Sequence, residues 1–322
     1  MDRHNNSLNV RYPFSPFPMG WYAVAWFEHI LPCQIVSSKI CAKDIVIVKG
    51  EDGDVAVFDA HCPHLGAHLG YGGKLVDGNI KCPFHGWEFD SEGECKSVPY
   101  VSTPLKVSLK KWDSLIINGM VMVWWSESSQ APKWYPKPLD LDGWTQPFLD
   151  STCVWNLRTH VQEIAENGFD LAHFPSVHGA DAPGTLHNIQ LESYKASWSS
   201  ISKSNFLETE MHAITKISLE GLGVQRVFVN LKEKDLSIRT FLYITPLDHN
   251  SIIIRMPVSV PSCGDPRRDA MVVKLLIPKL AAELKRDFDI WENKKYVSRP
   301  PLSLADGPIN KFREWAKIFY EN

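Results

Sequence analysis

The sequence lacks the features that mark several large classes of protein. No stretch approaches the ~20 consecutive apolar residues that a membrane-crossing helix needs. The opening segment, MDRHNNSLNVRYPFSPFPMG, carries no continuous apolar core of the secretory-signal kind. Charge of one sign is also missing: 34 Lys and Arg stand against 37 Asp and Glu. That balance gives no electrostatic reason to expect nucleic acid or an anionic membrane as partner. There is no internal repeat, no low-complexity tract, no G-x-G-x-x-G dinucleotide fingerprint and no ferredoxin-type run of four cysteines. The expectation is a soluble, cytoplasmic protein without a nicotinamide site of its own.

A disulfide framework is absent too. The seven cysteines are odd in number and scattered, which favours metal binding over cross-linking in a chain without a secretion signal. Cys62 and Cys82 stand beside histidines. The other five, Cys33, Cys41, Cys95, Cys153 and Cys263, read as buried apolar packing residues.

At 322 residues the chain can bury one or two proper cores. Its first part is rich in short β segments: Ala23–Trp26, Ile45–Val48, Val55–Asp59 and Leu115–Trp124. Turn signals such as Glu51–Asp54 and Asp77–Asn79 lie between them, which predicts a small sandwich. A Pro- and Trp-rich stretch, 131–144, reads as a crossing segment. Asn156–His173 predicts a helix. Lys203–Ala213, Gln225–Lys232, Ser237–Thr245 and Ser251–Val260 predict an antiparallel sheet, and Asp269–Lys295 a final helix. Strands followed by helices make the class α+β. The expected divisions are an extension over 1–20, a first domain over 21–126, a linker over 127–150 and a second domain over 151–322.

Two motifs carry chemistry. Cys62-Pro63-His64 and Cys82-Pro83-Phe84-His85 are C-x-H and C-x-x-H pairs, surrounded by Gly66, Gly70, Gly72, Gly73 and Gly86. Glycine lets the backbone curl close to a metal and offer N–H groups to sulfur. Two Cys and two His suit either zinc or a cluster whose irons are held by thiolates on one side and imidazoles on the other. One Cys and one His per loop favours the cluster. Alone, this motif means only electron transfer, and the chain runs on for nearly two hundred residues.

The second motif is Asn167-x-x-Asp170-x-x-His173-x₄-His178. On a regular helix, histidines at i and i+5 stand ~140° apart. Pro175 cannot continue the ladder, so the helix is expected to break after His173 and bring His178 round. Two such histidines are, alone, ordinary packing residues; an upstream electron carrier makes a two-His iron site the natural acceptor. A facial triad needs a carboxylate. The late helix offers Glu283, Asp287, Asp289 and Glu292. Asp287 falls on the apolar stripe of Leu280, Leu284 and Trp291, where burial demands a partner such as iron.

Together these motifs resemble the Rieske non-haem iron oxygenases, over nearly the whole chain from Trp21 to Lys295. Phe17-Pro18-Met19-Gly20-Trp21 and Thr245-Pro246-Leu247-Asp248 look more particularly like the steroid-acting branch, with its 3-ketosteroid 9α-hydroxylases and cholesterol 7-desaturases. The resemblance implies a Rieske sandwich joined to a helix-grip (START-like) catalytic domain, in a head-to-tail homotrimer. It implies a [2Fe–2S] cluster on Cys62, His64, Cys82 and His85, and a mononuclear Fe(II) on His173, His178 and Asp287. Asp170, beside Asn167, would bridge to a neighbouring subunit's cluster through His85. Electrons would come from NAD(P)H through a separate ferredoxin or flavin reductase, and O₂ would be the co-substrate. The implied reaction is hydroxylation of a hydrophobic, polycyclic or steroid-like compound; desaturation and O- or N-demethylation begin with the same oxidant. A zinc scaffold and a non-catalytic electron carrier are the readings from other classes. Candidate pocket residues are Phe206, Leu207, Val227, Phe241, Leu242, Ile253 and Met256, most of them expected to be ordinary core.

Overall fold

The turn-punctuated β segments of the first third close into three small antiparallel sheets in the computed structural model, which describes residues 11–12, 16–147, 151–204 and 211–321. β1 (Gly20–Trp26), β11 (Met120–Trp125) and β10 (Ser114–Ile117) form one sheet. β2 (Gln34–Ile40), β3 (Lys43–Lys49), β4 (Val55–Asp59) and β9 (Lys111–Trp112) form the second. The third is β5 (Lys74–Val76), β6 (Asn79–Lys81), β7 (Glu88–Phe89) and β8 (Cys95–Ser97). The β-branched run of β3 is buried on both faces, between the first sheet and a separate small core of Val46, Phe58, Leu69 and Ile80. Cys62 and Cys82 belong to that small core.

Residues 126–147 cross to the second half without regular structure apart from a Trp144–Pro261 bridge. There a seven-stranded antiparallel sheet forms from β12 (Thr152–Leu157), β13 (Thr185–Glu192), β14 (Lys195–Ser204), β15 (Met211–Glu220), β16 (Val224–Leu231), β17 (Leu236–Asp248) and β18 (Ser251–Ser259). Its order is β12-β18-β17-β16-β15-β14-β13. α1 (Val161–Asn167), α2 (Pro266–Lys285), α3 (Phe288–Asn293) and α4 (Ile309–Ala316) complete the α+β unit, a helix-grip arrangement. One apolar core runs from Trp21 and Trp124 in the first half to Ile254 and Trp291 in the second. Polar groups pin the join: Thr245 Oγ1 and Arg255 Nη1 both donate to the Ala23 carbonyl, at 2.7 and 2.9 Å.

Several sequence expectations change here. The helix expected over 156–173 is α1 alone; Asn156 and Leu157 instead pair with Ile253 and Ile252 in β18. His160 caps α1, its Nδ1 accepting from Gln162 N, and the helix stops at Asn167, six residues before His173. The run expected over 203–213 is a hairpin of two ten-residue strands, β14 and β15, whose connection lies outside the described residues. The final helix is broken at Arg286–Asp287 into α2 and α3. α4, absent from the sequence expectation, packs Ile309, Phe312 and Trp315 into the main core. Cys33 and Cys263 are exposed on loops rather than buried, whereas Cys41 and Cys95 are buried.

Candidate metal centres

The two Cys–His loops are built alike. Cys62 N donates to Ala67 O and Gly66 N to Cys62 O, at 2.9 and 3.0 Å; Cys82 N donates to Trp87 O and Gly86 N to Cys82 O, at 2.8 and 3.1 Å. Each loop closes on a glycine in the left-handed region, Gly66 at φ +74° and Gly86 at +69°, where a side chain would strain the backbone. The thiols lie beneath, both buried, and the imidazoles of His64 and His85 are exposed above them. The rings are 4.7 Å apart at 66°, and His64 stacks on Trp87 at 4.3 Å, which fixes its plane. Burial pushes the Cys62 thiol up to about 11, with neighbouring Cys82 adding to it against the His64 backbone N–H. Two adjacent buried thiols under two exposed imidazoles fit a group that binds thiolate on its inner side and nitrogen on its outer side. Leu65, Tyr71 and Phe84 make an exposed apolar rim around it.

The second centre is assembled from three elements. Phe174–His178 is a π turn with Pro175 in its first positions, where the missing N–H is not needed. A π turn closes i to i+5, so His173 and His178 come together, at 5.2 Å between ring centroids. Pro175 therefore starts the turn instead of breaking a helix. Asp287 arrives from the α2–α3 break; its backbone N–H still reaches Leu284 O, and its carbonyl starts α3 by accepting from Trp291 N. His173, His178 and Asp287 each offer one ligand atom, all within 4.8 Å of one another.

Both imidazoles have a carboxylate on each side. His178 Nε2 is 3.4 Å from Asp287 Oδ2, and its Nδ1 is 3.4 Å from Glu283 Oε2. His173 Nε2 is 3.7 Å from Asp287 Oδ1, and its Nδ1 is 3.7 Å from Asp170 Oδ2, leaving that buried nitrogen outside hydrogen-bond distance of any acceptor. Such outer carboxylates set the tautomer of a metal-binding histidine. Burial alone would lower His178, but Asp287 and then Glu283 raise it to about 9. Burial opposes ionisation of Asp170, and His173 with the Ala172 N–H more than offsets it, holding the carboxyl below the usual range. Asp287 is 3% exposed with two imidazole nitrogens converging on it, a donor set that fits a divalent iron with open positions. Asp289 is exposed and Glu292 accepts from Arg158 N, so neither belongs here.

Asn167 ends α1 with Nδ2 at 3.4 Å from His173 Nε2, while its Oδ1 accepts from Trp291 Nε1 at 3.3 Å. Trp291 and Glu283 are the residues that sequence reasoning did not place at the site. Glu283 was legible as the i−4 neighbour of Asp287 on one helix face; the role of Trp291 depends on a contact across 124 residues. α1 is buried nearly all round, and its charges are matched: Arg313 from α4 grips Glu166 with Nε and Nη2 at 2.8 and 2.7 Å, and Lys294 meets Glu163 at 2.5 Å.

Beside the iron-type site lies a cavity of about 300 Å³, the lower end of the ordinary ligand range. His178, Asp287 and Asn167 line its helical side, and inward residues of β15, β16 and β17 its sheet side. Val227, Leu242 and Met256 face it; Phe241 does not, because alternation along β17 turns it to the other face of the sheet. Ile253 is not among the lining residues, and Phe206 and Leu207 lie outside the described residues.

Comparisons with known proteins cover both halves of the chain. Residues 20–113 match the family model of the Rieske [2Fe-2S] domain, and residues 123–320 that of the 3-Ketosteroid 9alpha-hydroxylase C-terminal domain. The chain is 30% identical to a cholesterol 7-desaturase of Drosophila melanogaster over 95% of its own length and 76% of that protein. It is 24% identical to a probable 3-ketosteroid-9-alpha-monooxygenase oxygenase component of Rhodococcus rhodochrous, over 98% of this chain and 82% of that one. The apo crystal structure of dicamba monooxygenase shares the fold with a TM-score of 0.70 at 18% identity, covering 95% of this chain and 97% of that one. The Rieske match decides for an iron–sulfur cluster over zinc in the chain's first half. No helix among the described residues is long and apolar enough to cross a membrane. The chain is an oxidoreductase of the Rieske non-haem iron oxygenases, a family that works with a [2Fe–2S] cluster and a mononuclear iron, in the branch carrying the 3-ketosteroid 9α-hydroxylase C-terminal domain.

Proposed function

We propose that this chain is the oxygenase component of a monooxygenase that hydroxylates a hydrophobic, polycyclic or steroid-like compound. The observation that carries this reading is the predominantly apolar cavity with His178 and Asp287 on one wall, which sets a carbon skeleton directly against the iron-type site. Cys62, His64, Cys82 and His85 are assigned to the cluster, and His173, His178 and Asp287 to the iron. When bound, the cluster supplies electrons one at a time and the iron supplies the place where O₂ is reduced. In the overall reaction one oxygen atom enters a C–H bond and the other leaves as water, consuming two electrons and two protons. The electrons come from a separate NAD(P)H-dependent ferredoxin or flavin reductase.

The chain's own residues have separable tasks in this scheme. Asp287 draws both histidines to one point, Glu283 orients His178 from behind, Asp170 stands behind His173 at 3.7 Å, and Asn167 holds the inner edge of His173. The apolar sheet wall excludes water from the reacting carbon. Exposed His64 and His85 with their apolar rim, and an Asp170 side chain 40% exposed, suit a head-to-tail homotrimer in which one subunit's cluster approaches the next subunit's Asp170. In that arrangement Asp170 accepts from imidazole N–H groups on both sides.

The named relatives favour one second reading, desaturation of a sterol ring, since several are cholesterol 7-desaturases. Turnover with a matched reductase on a panel of sterols, aromatics and alkaloids, read by product mass, tests both. Gain of one oxygen supports hydroxylation and loss of two hydrogens supports desaturation; consumption of reductant without any product overturns both. For the bridge, Asp170→Asn is expected to keep both metals and the oligomer while losing turnover, and full turnover in that variant would remove Asp170 from the path.

A further inference from the structure

The sheet side of the cavity breaks its own pattern at one position. Along β16 the inward residues are Gln225, Val227, Val229 and Leu231, three of them apolar. Gln225 is 5% exposed, and its Oε1 has no hydrogen-bond partner. Its cross-strand neighbours, Leu219 on β15 and Leu242 on β17, have no donor to offer. A buried amide oxygen without a partner is costly, and an apolar residue in its place would avoid that cost. Departures from a local pattern without local compensation concentrate where a ligand completes the site. Among the described residues, Gln225 is the cavity-lining side chain with an unmet buried acceptor.

Its position is suited to reading one end of a substrate. Ile217 packs against Gly168, next to Asn167, and pairs with Val227. Gln225 lies one inward position further along β16, about 7 Å by strand rise. It therefore faces the cavity from the sheet, displaced along it from the turn that carries the iron-type residues.

We propose that Gln225 recognises a hydroxyl group on the substrate, its Oε1 accepting from the O–H and thereby setting which carbon of an otherwise apolar body meets the iron-type site. The inference rests on the reading of the cavity as the substrate site. It narrows the substrate class to ring-containing alcohols, in preference to the corresponding hydrocarbons, which offer the amide no partner.

The test uses the full chain with both metal centres loaded and two series of probes. One series is cholesterol, its 3-keto counterpart cholest-4-en-3-one and its deoxy counterpart cholest-5-ene; the other is 2-naphthol and naphthalene. Equilibrium binding is measured for the parent, for Gln225→Met, which keeps the shape without the acceptor, and for Gln225→Glu, which keeps an acceptor. The parent is expected to bind the alcohol about two- to tenfold tighter than its hydrocarbon, the range that one buried hydrogen bond supplies. Gln225→Met is expected to bring that ratio near one by weakening the alcohol alone, raising its KM more than it lowers kcat, and Gln225→Glu to retain a preference. An unchanged cluster absorption spectrum separates this from misfolding. If the sterols fail to bind while 2-naphthol is preferred in the parent and not in Gln225→Met, the steroid reading falls and hydroxyl recognition stands. A parent without alcohol preference in either series, a preference for the ketone, or a preference that survives Gln225→Met overturns the proposal.

Discussion

Replacing Arg313 with methionine removes a buried charge partner from the helix that ends at the iron-type site. Arg313 and Glu166 are 13% and 7% exposed at their side chains and meet through two parallel hydrogen bonds of 2.8 and 2.7 Å. Arg313 Nη1 also donates to Val297 O at 2.6 Å, and its guanidinium lies 4.4 Å from the centre of the Tyr296 ring. The variant leaves the Glu166 carboxylate inside the protein without its bidentate partner. Breaking one side of a buried pair costs about 3–5 kcal/mol, most of it the stranded charge. Because Glu166 immediately precedes Asn167, the loss also loosens the last turn of α1, which holds Asn167 between His173 and Trp291. Urea unfolding followed by near-ultraviolet circular dichroism measures the stability, and metal analysis after gel filtration measures retained iron. Arg313→Met is expected to lose stability in that range and to retain less iron. The double variant Arg313→Met with Glu166→Met is expected to recover most of the stability, since an apolar pair replaces a buried ion pair at little net cost. A single-variant loss under about 1 kcal/mol, or a double variant no better than the single, would refute the reasoning.

Three more outcomes follow from the same geometry. In the metal-free chain the His178 imidazole is raised to about 9, so it contributes stability below its ordinary range that disappears as pH rises through about 9. A divalent metal must displace that proton, so apparent Fe(II) affinity measured anaerobically should rise about tenfold per pH unit between pH 6 and 8, and a flat profile would exclude the effect. Burial, stronger than the pull of Lys294, keeps the Glu163 carboxyl above its usual range. A raised carboxyl favours the folded state most at low pH and loses that contribution as pH rises through the folded value. Glu163→Gln should therefore gain stability relative to the parent between pH 4.5 and neutrality, read from urea midpoints; a falling difference would contradict it. With both centres loaded, a brief maleimide treatment should label the exposed Cys33 and Cys263 and spare Cys41 and Cys95, as intact mass and peptide mapping would show.

The first centre was the more legible in the sequence because its chemistry is local. Each loop supplies a thiol and an imidazole within four residues, and the glycine that closes each loop follows at a fixed place, so residue type and spacing already imply the turn. The second centre was legible in its residues but not in its backbone. His173 and His178 were identified at i and i+5, yet the expected cause, a helix broken by Pro175, is replaced by a π turn that Pro175 initiates. Asp287 was selected from the apolar stripe of a helix expected to be continuous. It is buried as expected, but at a break between two helices, a backbone state that residue periodicity does not encode. α4 escaped the sequence reading because eight residues near the end of the chain make a weak periodic signal, and its place is decided by packing.

The sequence by itself narrowed the first motif to zinc or an iron–sulfur cluster, since one thiol and one imidazole in each tight loop leave few alternatives, and it determined a β-rich first half and an antiparallel second half through short-range alternation. Tertiary structure decided how the pieces meet. It set Glu283 and Asp170 behind the two histidines, put Trp291 on Asn167 from 124 residues away, and turned Gln225 into an apolar cavity without a partner. The division has one physical reason: spacing along the chain fixes contacts within a turn or a strand, while the partners of a buried polar group are fixed only when distant elements close around it.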